Sequence, residues 1–150
     1  MGTSERHPSL AAGRYRAAGV RYAPGAASRH RFVASFRFAA EGLRYAFDTQ
    51  PNFRVHVAAT VVVALLGLWL GLPWHAWAAL ALTTGVVLIT EIFNTAAETL
   101  VDLVSPQYHP LAKQAKDLAA AAVLIAALIS VVVGMAVLGP ALWARLGLGG

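Results

Sequence analysis

No cysteine occurs in the 150 residues, so this chain can build neither a disulfide frame nor a thiolate metal site. Charge is also scarce: 13% of the residues are Asp, Glu, Lys or Arg, against 58% hydrophobic. That balance excludes an ordinary soluble domain of this length and points to one small membrane-embedded unit. Only seven residues are acidic, and the only lysines are Lys113 and Lys116. No G-x-x-x-x-G-K-[ST] loop and no kinase-type glycine loop ahead of a lysine is present, which excludes the usual soluble kinase folds. No apolar core of a signal peptide follows the early charges, so the start of the chain does not read as a cleaved export signal.

What is present divides into runs. Residues 1–30 are rich in Arg, Ala, Gly, Ser and Pro without sustained periodicity, and are expected to form a disordered basic tail. The net charge of +5 lies outside the apolar runs, so an anionic bilayer face, and not nucleic acid, is the expected partner. In residues 31–48, Phe32, Phe36, Ala39, Ala40, Leu43 and Phe47 recur at helical spacing, with Arg31, Arg37, Glu41 and Arg44 on other faces. This predicts an amphipathic helix lying in the headgroup layer or packed on the bundle by the same stripe. Gln50-Pro51-Asn52 is expected to break it.

Three spans follow. Residues 55–72 make a helix of about 27 Å, and Trp69, Trp74 and Trp77 bracket the turn after it as an interfacial aromatic belt. His56, near the start of that span, reads as an interfacial residue. Residues 74–104 would be about 46 Å long, well beyond the roughly 30 Å hydrocarbon core, so the last turns must project from the membrane. Residues 105–116 read as a polar linker, and 118–138 as a third span with a small-residue ridge of Ala122, Ala126, Ser130 and Gly134. Gly139-Pro140 is expected to end it, leaving a short tail at 141–150. The segment before the first span and the linker between the second and third together hold eleven of the twelve Lys and Arg residues. That side is expected to be cytoplasmic, which puts the C-terminus outside.

The polar residues concentrate at the end of the second span. Glu91, Glu98 and Asp102 fall within roughly 40° of one another on a helix, with Asn94 about 60° to one side. Lys113, Lys116 and Asp117 lie at the same level. Carboxylates can hold Mg²⁺ bridged to phosphates, lysines can neutralise those phosphates, and a carboxylate at headgroup depth can take a proton from a lipid hydroxyl. The residues alone leave three readings open: a phosphoryl-transfer site, polar pairs that fix a bundle, and an ion path.

Beyond this, EIFNTAAETLVD followed by QYHPLAKQAKDLAAAAVLIA resembles the signature of the prokaryotic diacylglycerol kinase family, which includes undecaprenol kinases. The stretch SFRFAAEGLRYAFDTQPNFRVH resembles the family's surface helix, and the whole likeness covers residues 31–138. The resemblance implies an all-α membrane protein, with an N-terminal amphipathic surface helix and three transmembrane helices in a trimeric bundle. It implies the bacterial cytoplasmic membrane, ATP as cosubstrate with Mg²⁺, and diacylglycerol or undecaprenol as acceptor. By position, Glu91 is the general base and Glu98 the metal ligand. Asn94, Asp102, Tyr108, His109, Lys116, Asp117 and Arg31 serve the nucleotide. Gln50 stands where the family often has a second metal-binding Glu, and its amide oxygen ligates without charge. NFRVH looks closer to the undecaprenol-kinase branch. The rival from another class is a non-enzymatic ion-conducting or scaffolding trimer.

Overall fold

Helix boundaries in this chain are set by proline, glycine and one histidine. The computed structural model describes residues 28–148, with side chains from Ala34 onward. It holds four helices: α1 (Ser28–Thr49), α2 (Pro51–Leu70), α3 (Trp74–Val104) and α4 (Pro110–Arg145). Pro51 and Pro110 open α2 and α4, where the missing N–H would have no intrahelical partner anyway. Gly71 closes α2 at φ +68, a left-handed conformation that lets the N–H groups of Gly71 and Leu72 reach the carbonyls of Leu68 and Gly67 at 3.2 Å each. At the head of α4, His109 caps the helix by accepting the Leu111 N–H on Nδ1.

The second long helix runs over 74–104, the range read from the sequence. The others differ at their ends. α1 covers 28–49 where 31–48 was expected, and α2 begins at Pro51 and ends at Leu70 where 55–72 was expected. α4 departs most: it starts eight residues before the expected 118, taking in the last seven residues of the expected linker, and it ends at Arg145 and not at Leu138. Pro140 sits inside it. A helix tolerates an interior proline where neighbouring helices and local adjustment re-satisfy the freed backbone, as happens in membrane spans. The far end of α4 is also held: the Arg145 guanidinium lies 5.6 Å from the centre of the Trp69 ring at the end of α2. Of the tail expected to be disordered, only Ser28–His30 fall among the described residues, and they belong to α1.

α3 packs chiefly on α4 and less on α2, while α1 touches α2 and α3 lightly. Leu80, Val87, Val123 and Ala126 supply the apolar contact. α2 approaches α3 most closely at Gly67, where a Cβ would meet the Trp77 ring at 2.9 Å. In the small-residue ridge of α4, Ala126 is buried and Ser130 and Gly134 are half-buried, whereas Ala122 is exposed. α2, α3 and α4 are each long and apolar enough to cross a membrane. Their outer faces carry exposed Leu65, Leu68, Ile89, Phe93, Leu124 and Val132. An apolar surface of that extent suits lipid and not water. On α1, Phe36, Phe38, Leu43 and Phe47 are exposed and, among the described side chains, only Ala46 is buried, with Arg37–Glu41 and Arg44–Asp48 paired along the helix at 3.5 Å.

Candidate active site

The inward face of α3 changes chemistry along its length. Leu80 and Val87 are buried, and then Glu91, Asn94 and Thr95 are buried on the same side. Helical spacing of three and four residues explains why they share a face. Glu91 is 1% exposed, the most enclosed large side chain of the described chain. Its main-chain carbonyl accepts the Thr95 hydroxyl at 3.0 Å. Among the described residues, its carboxylate has no hydrogen-bond or ion-pair partner.

One turn further along α3, Asn94 Nδ2 donates to Glu98 Oε1 at 3.1 Å. That bond fixes the amide orientation and leaves Asn94 Oδ1 buried without a partner. An unsatisfied buried acceptor costs about 1–3 kcal/mol. The half-buried Glu98 leads outward to Asp102, whose Oδ1 accepts from Lys116 Nζ at 2.5 Å. This pair ties the end of α3 to the start of α4. Lys113 and Asp117 form a second pair, one turn apart on α4, also at 2.5 Å. Both aspartates are largely exposed, so these pairs add little stability. A polyphosphate could displace either carboxylate from its lysine.

Of the residues expected to act together, the structure thus joins Asn94 to Glu98 and Asp102 to Lys116. Asp117 pairs with Lys113 and not with Lys116. Tyr108 is 82% exposed on the short linker, and His109 spends Nδ1 on capping α4, leaving Nε2 free for other contacts. Gln50 caps α2 through its backbone, with no side-chain hydrogen bond. The side chain of Arg31 lies outside the described residues. His56, expected at the interface, is half-buried and lines a cavity. Its position in the first span was visible in the sequence, but the helix rotation that turns it inward was not.

That cavity, of about 480 Å³, lies between α2, α3 and α4. Its walls are mostly apolar, with Val63, Val131 and Leu138 among them, and its polar edges are His56, Thr60, Thr84 and Ser130. Thr60 and Thr84 spend their hydroxyls on their own helices, donating to the carbonyls of His56 and Leu80. The α3 wall ends at Val87, one turn before Glu91.

The described residues do not form a closed cage for a divalent cation. Among the described residues, no three His, Asp or Glu side chains gather as a cage. Glu98, with the orphaned Asn94 oxygen beside it, matches instead the sparse donor set of Mg²⁺, which keeps waters and borrows phosphate oxygens.

An apolar helix that buries an unpartnered carboxylate, beside an amide–carboxylate pair and two lysines, one exposed and one half-buried, defines a membrane-embedded helical protein with a polar site at one end of its bundle. Comparison with known proteins gives the family. Residues 37–138 match the prokaryotic diacylglycerol kinase family, and the chain belongs to it. It is 51% identical over 98 residues to a diacylglycerol kinase of Synechocystis, a stretch covering 65% of this chain and 56% of that protein. It is 40% identical over 94 residues to the undecaprenol kinase of Bacillus subtilis, covering 63% and 76% of the two chains. Against the diacylglycerol kinase of Escherichia coli K12, identity is 33% over 87 residues, covering 58% and 71%. The match thus spans little more than half the length of the Synechocystis relative.

Proposed function

We propose that this protein is an ATP-dependent lipid kinase that transfers the γ-phosphoryl group of MgATP to the hydroxyl of a membrane lipid alcohol, diacylglycerol or undecaprenol. The observation that carries the reading is Glu91: a carboxylate enclosed in an apolar helix with no partner among the described residues. Burying such a group unpaired is costly, so its retention calls for a function. Family membership and the names of the relatives supply the reaction class.

The roles follow from position. The lipid's hydrocarbon lies in the cavity between α2, α3 and α4, with its hydroxyl toward Glu91. Glu91 accepts the hydroxyl proton as the lipid oxygen bonds to the γ-phosphorus and the bond from that phosphorus to the β–γ bridging oxygen breaks, releasing ADP. Lys116 and Lys113 leave Asp102 and Asp117 for the phosphates, while Tyr108 and His109 Nε2 meet the nucleotide from the linker. Glu98, oriented by Asn94, would hold Mg²⁺, with Gln50 as a neutral second ligand, and when bound the metal would supply positive charge for the phosphates. Arg31 adds positive charge from α1.

In this reading α1 lies on the membrane with Phe36, Phe38 and Phe47 in the acyl boundary. The N-terminus and the site face the cytoplasm of a bacterial cell, the C-terminus faces out, and three copies assemble as a homotrimer. Purified protein given radiolabelled ATP with diacylglycerol and with undecaprenol in parallel is expected to label one or both lipids. ATP consumption without lipid labelling removes the proposal, and no ATP consumption at all leaves the non-enzymatic trimer.

A further inference from the structure

Arg145 stands at the end of the bundle away from the candidate site. It is the last residue of α4, and about 42 Å of helix separates it from Asp117 at the other end. That exceeds the roughly 30 Å hydrocarbon core, so the two ends of α4 fall in opposite headgroup layers. Exposed Trp69, Trp74 and Trp143 gather at the Arg145 end, as tryptophans do at a membrane–water boundary. No Asp or Glu occurs from Thr49 to Thr90 or from Leu118 to Leu148, so among the described residues this end holds no acidic side chain. The Arg145 guanidinium lies 5.6 Å from the centre of the Trp69 ring on α2. The ring attracts the charge but leaves the five N–H donors to find acceptors elsewhere. Among the described residues, neither a carboxylate nor a main-chain carbonyl accepts from them. A guanidinium at headgroup depth, whose donors meet no acceptor of the protein, matches a phosphate, which takes two N–H bonds at once. On α2, Leu65 and Leu68 are exposed below Trp69, a surface suited to the chains of the same lipid. Arg145 lies beyond residues 37–138, so the family match does not account for it.

We propose that Arg145, held against Trp69, binds the phosphate of an anionic glycerophospholipid at this interface, so that the lipid headgroup joins the ends of α2 and α4. The occupant carries net negative charge, because a zwitterionic headgroup brings its own cation to compete with the arginine for the phosphate. The site is separate from the lipid-kinase reading and needs only that these helices span a membrane.

The test uses the full chain in lipid nanodiscs and reads tryptophan fluorescence. All four tryptophans, Trp69, Trp74, Trp77 and Trp143, sit at this end, so their quenching reports the lipid found there. Phosphatidylglycerol or phosphatidylcholine, brominated near the headgroup, is included at the same low mole fraction. Brominated phosphatidylglycerol is expected to quench the wild type about two- to fivefold more than brominated phosphatidylcholine. Arg145→Gln is expected to abolish the difference, and Arg145→Lys, which keeps the charge without the fork of donors, to retain part of it. Equal quenching of the wild type by the two lipids overturns the proposal and leaves Arg145 as a clasp on Trp69 alone. An excess for phosphatidylglycerol that survives in Arg145→Gln overturns it as well. The wild-type comparison stands whether or not a variant folds. Lipid phosphorylation is no part of the readout, so a failure of the kinase reading leaves this result untouched.

Discussion

α3 and α4 are the two longest helices, of 31 and 36 residues, and both are apolar enough to cross a bilayer. They pack on each other more extensively than any other pair. Yet α4 contributes only Val123 and Ala126 to the buried set, whereas α3 contributes Glu91, Asn94 and Thr95 besides Ala76, Leu80 and Val87. All the charges of α4 sit near its ends, as they do in a helix shaped by the membrane alone. α3 carries its polar groups inward. The apolar seam holds the pair together, and the polar seam costs stability that only a reaction or a ligand offsets. A helix that served merely to span would look like α4.

The contrast breaks most sharply if Glu91 is neutralised. Glu91→Gln keeps the shape of the side chain, so the protein is expected to fold and to bind nucleotide while kcat for lipid phosphorylation drops about 10²- to 10⁴-fold. Near-wild-type turnover would make the buried carboxylate structural, and α3 no different in kind from α4. Next in size is the pair one turn on. Glu98→Ala is expected to weaken Mn²⁺ binding, read by electron paramagnetic resonance, and Asn94→Leu to weaken it about tenfold by freeing the Glu98 carboxylate from its orienting amide. If Asn94→Leu binds Mn²⁺ as wild type does, the amide–carboxylate bond has no part in metal binding.

A smaller effect is expected where the two helices meet at the surface. Lys116→Met should raise KM for ATP about tenfold, equivalent to roughly 1.4 kcal/mol, through the lost phosphate contact. Its thermal midpoint should stay near wild type, because the Asp102 end of the Lys116–Asp102 pair is largely exposed. The least effect on chemistry belongs to the scaffold. Gly67→Ala places a Cβ 2.9 Å from the Trp77 ring and should cost about 1–3 kcal/mol of stability, read by unfolding in detergent, with kcat of the surviving fold unaltered.

Much of this was legible in the chain itself. The bounds of α3 and the inward polar stripe follow from 3.6-residue periodicity, which needs no knowledge of neighbours. Proline placed the starts of α2 and α4 only in hindsight, since Pro51 read as a breaker and Pro110 fell inside the expected linker, whereas both act as first helical residues in the structure. Pro140 misled in the same way, because α4 continues past it to Arg145. For His56 the sequence showed a place at the start of an apolar run, and the structure adds that it is half-buried and lines the α2–α3–α4 cavity.

The sequence by itself determined that this is a membrane-embedded helical protein, with three apolar helices and one acidic face, and it carried the family's spaced polar signature. These are local properties, set by composition and by the fixed pitch of one helix. Only the tertiary structure decided that Glu91 is enclosed while Asp102 is open, that Lys116 meets Asp102 while Lys113 takes Asp117, and that His56 lines the cavity between α2, α3 and α4. Those pairings depend on the rotation and relative height of packed helices, which are fixed by how side chains on two separate stretches of chain interlock.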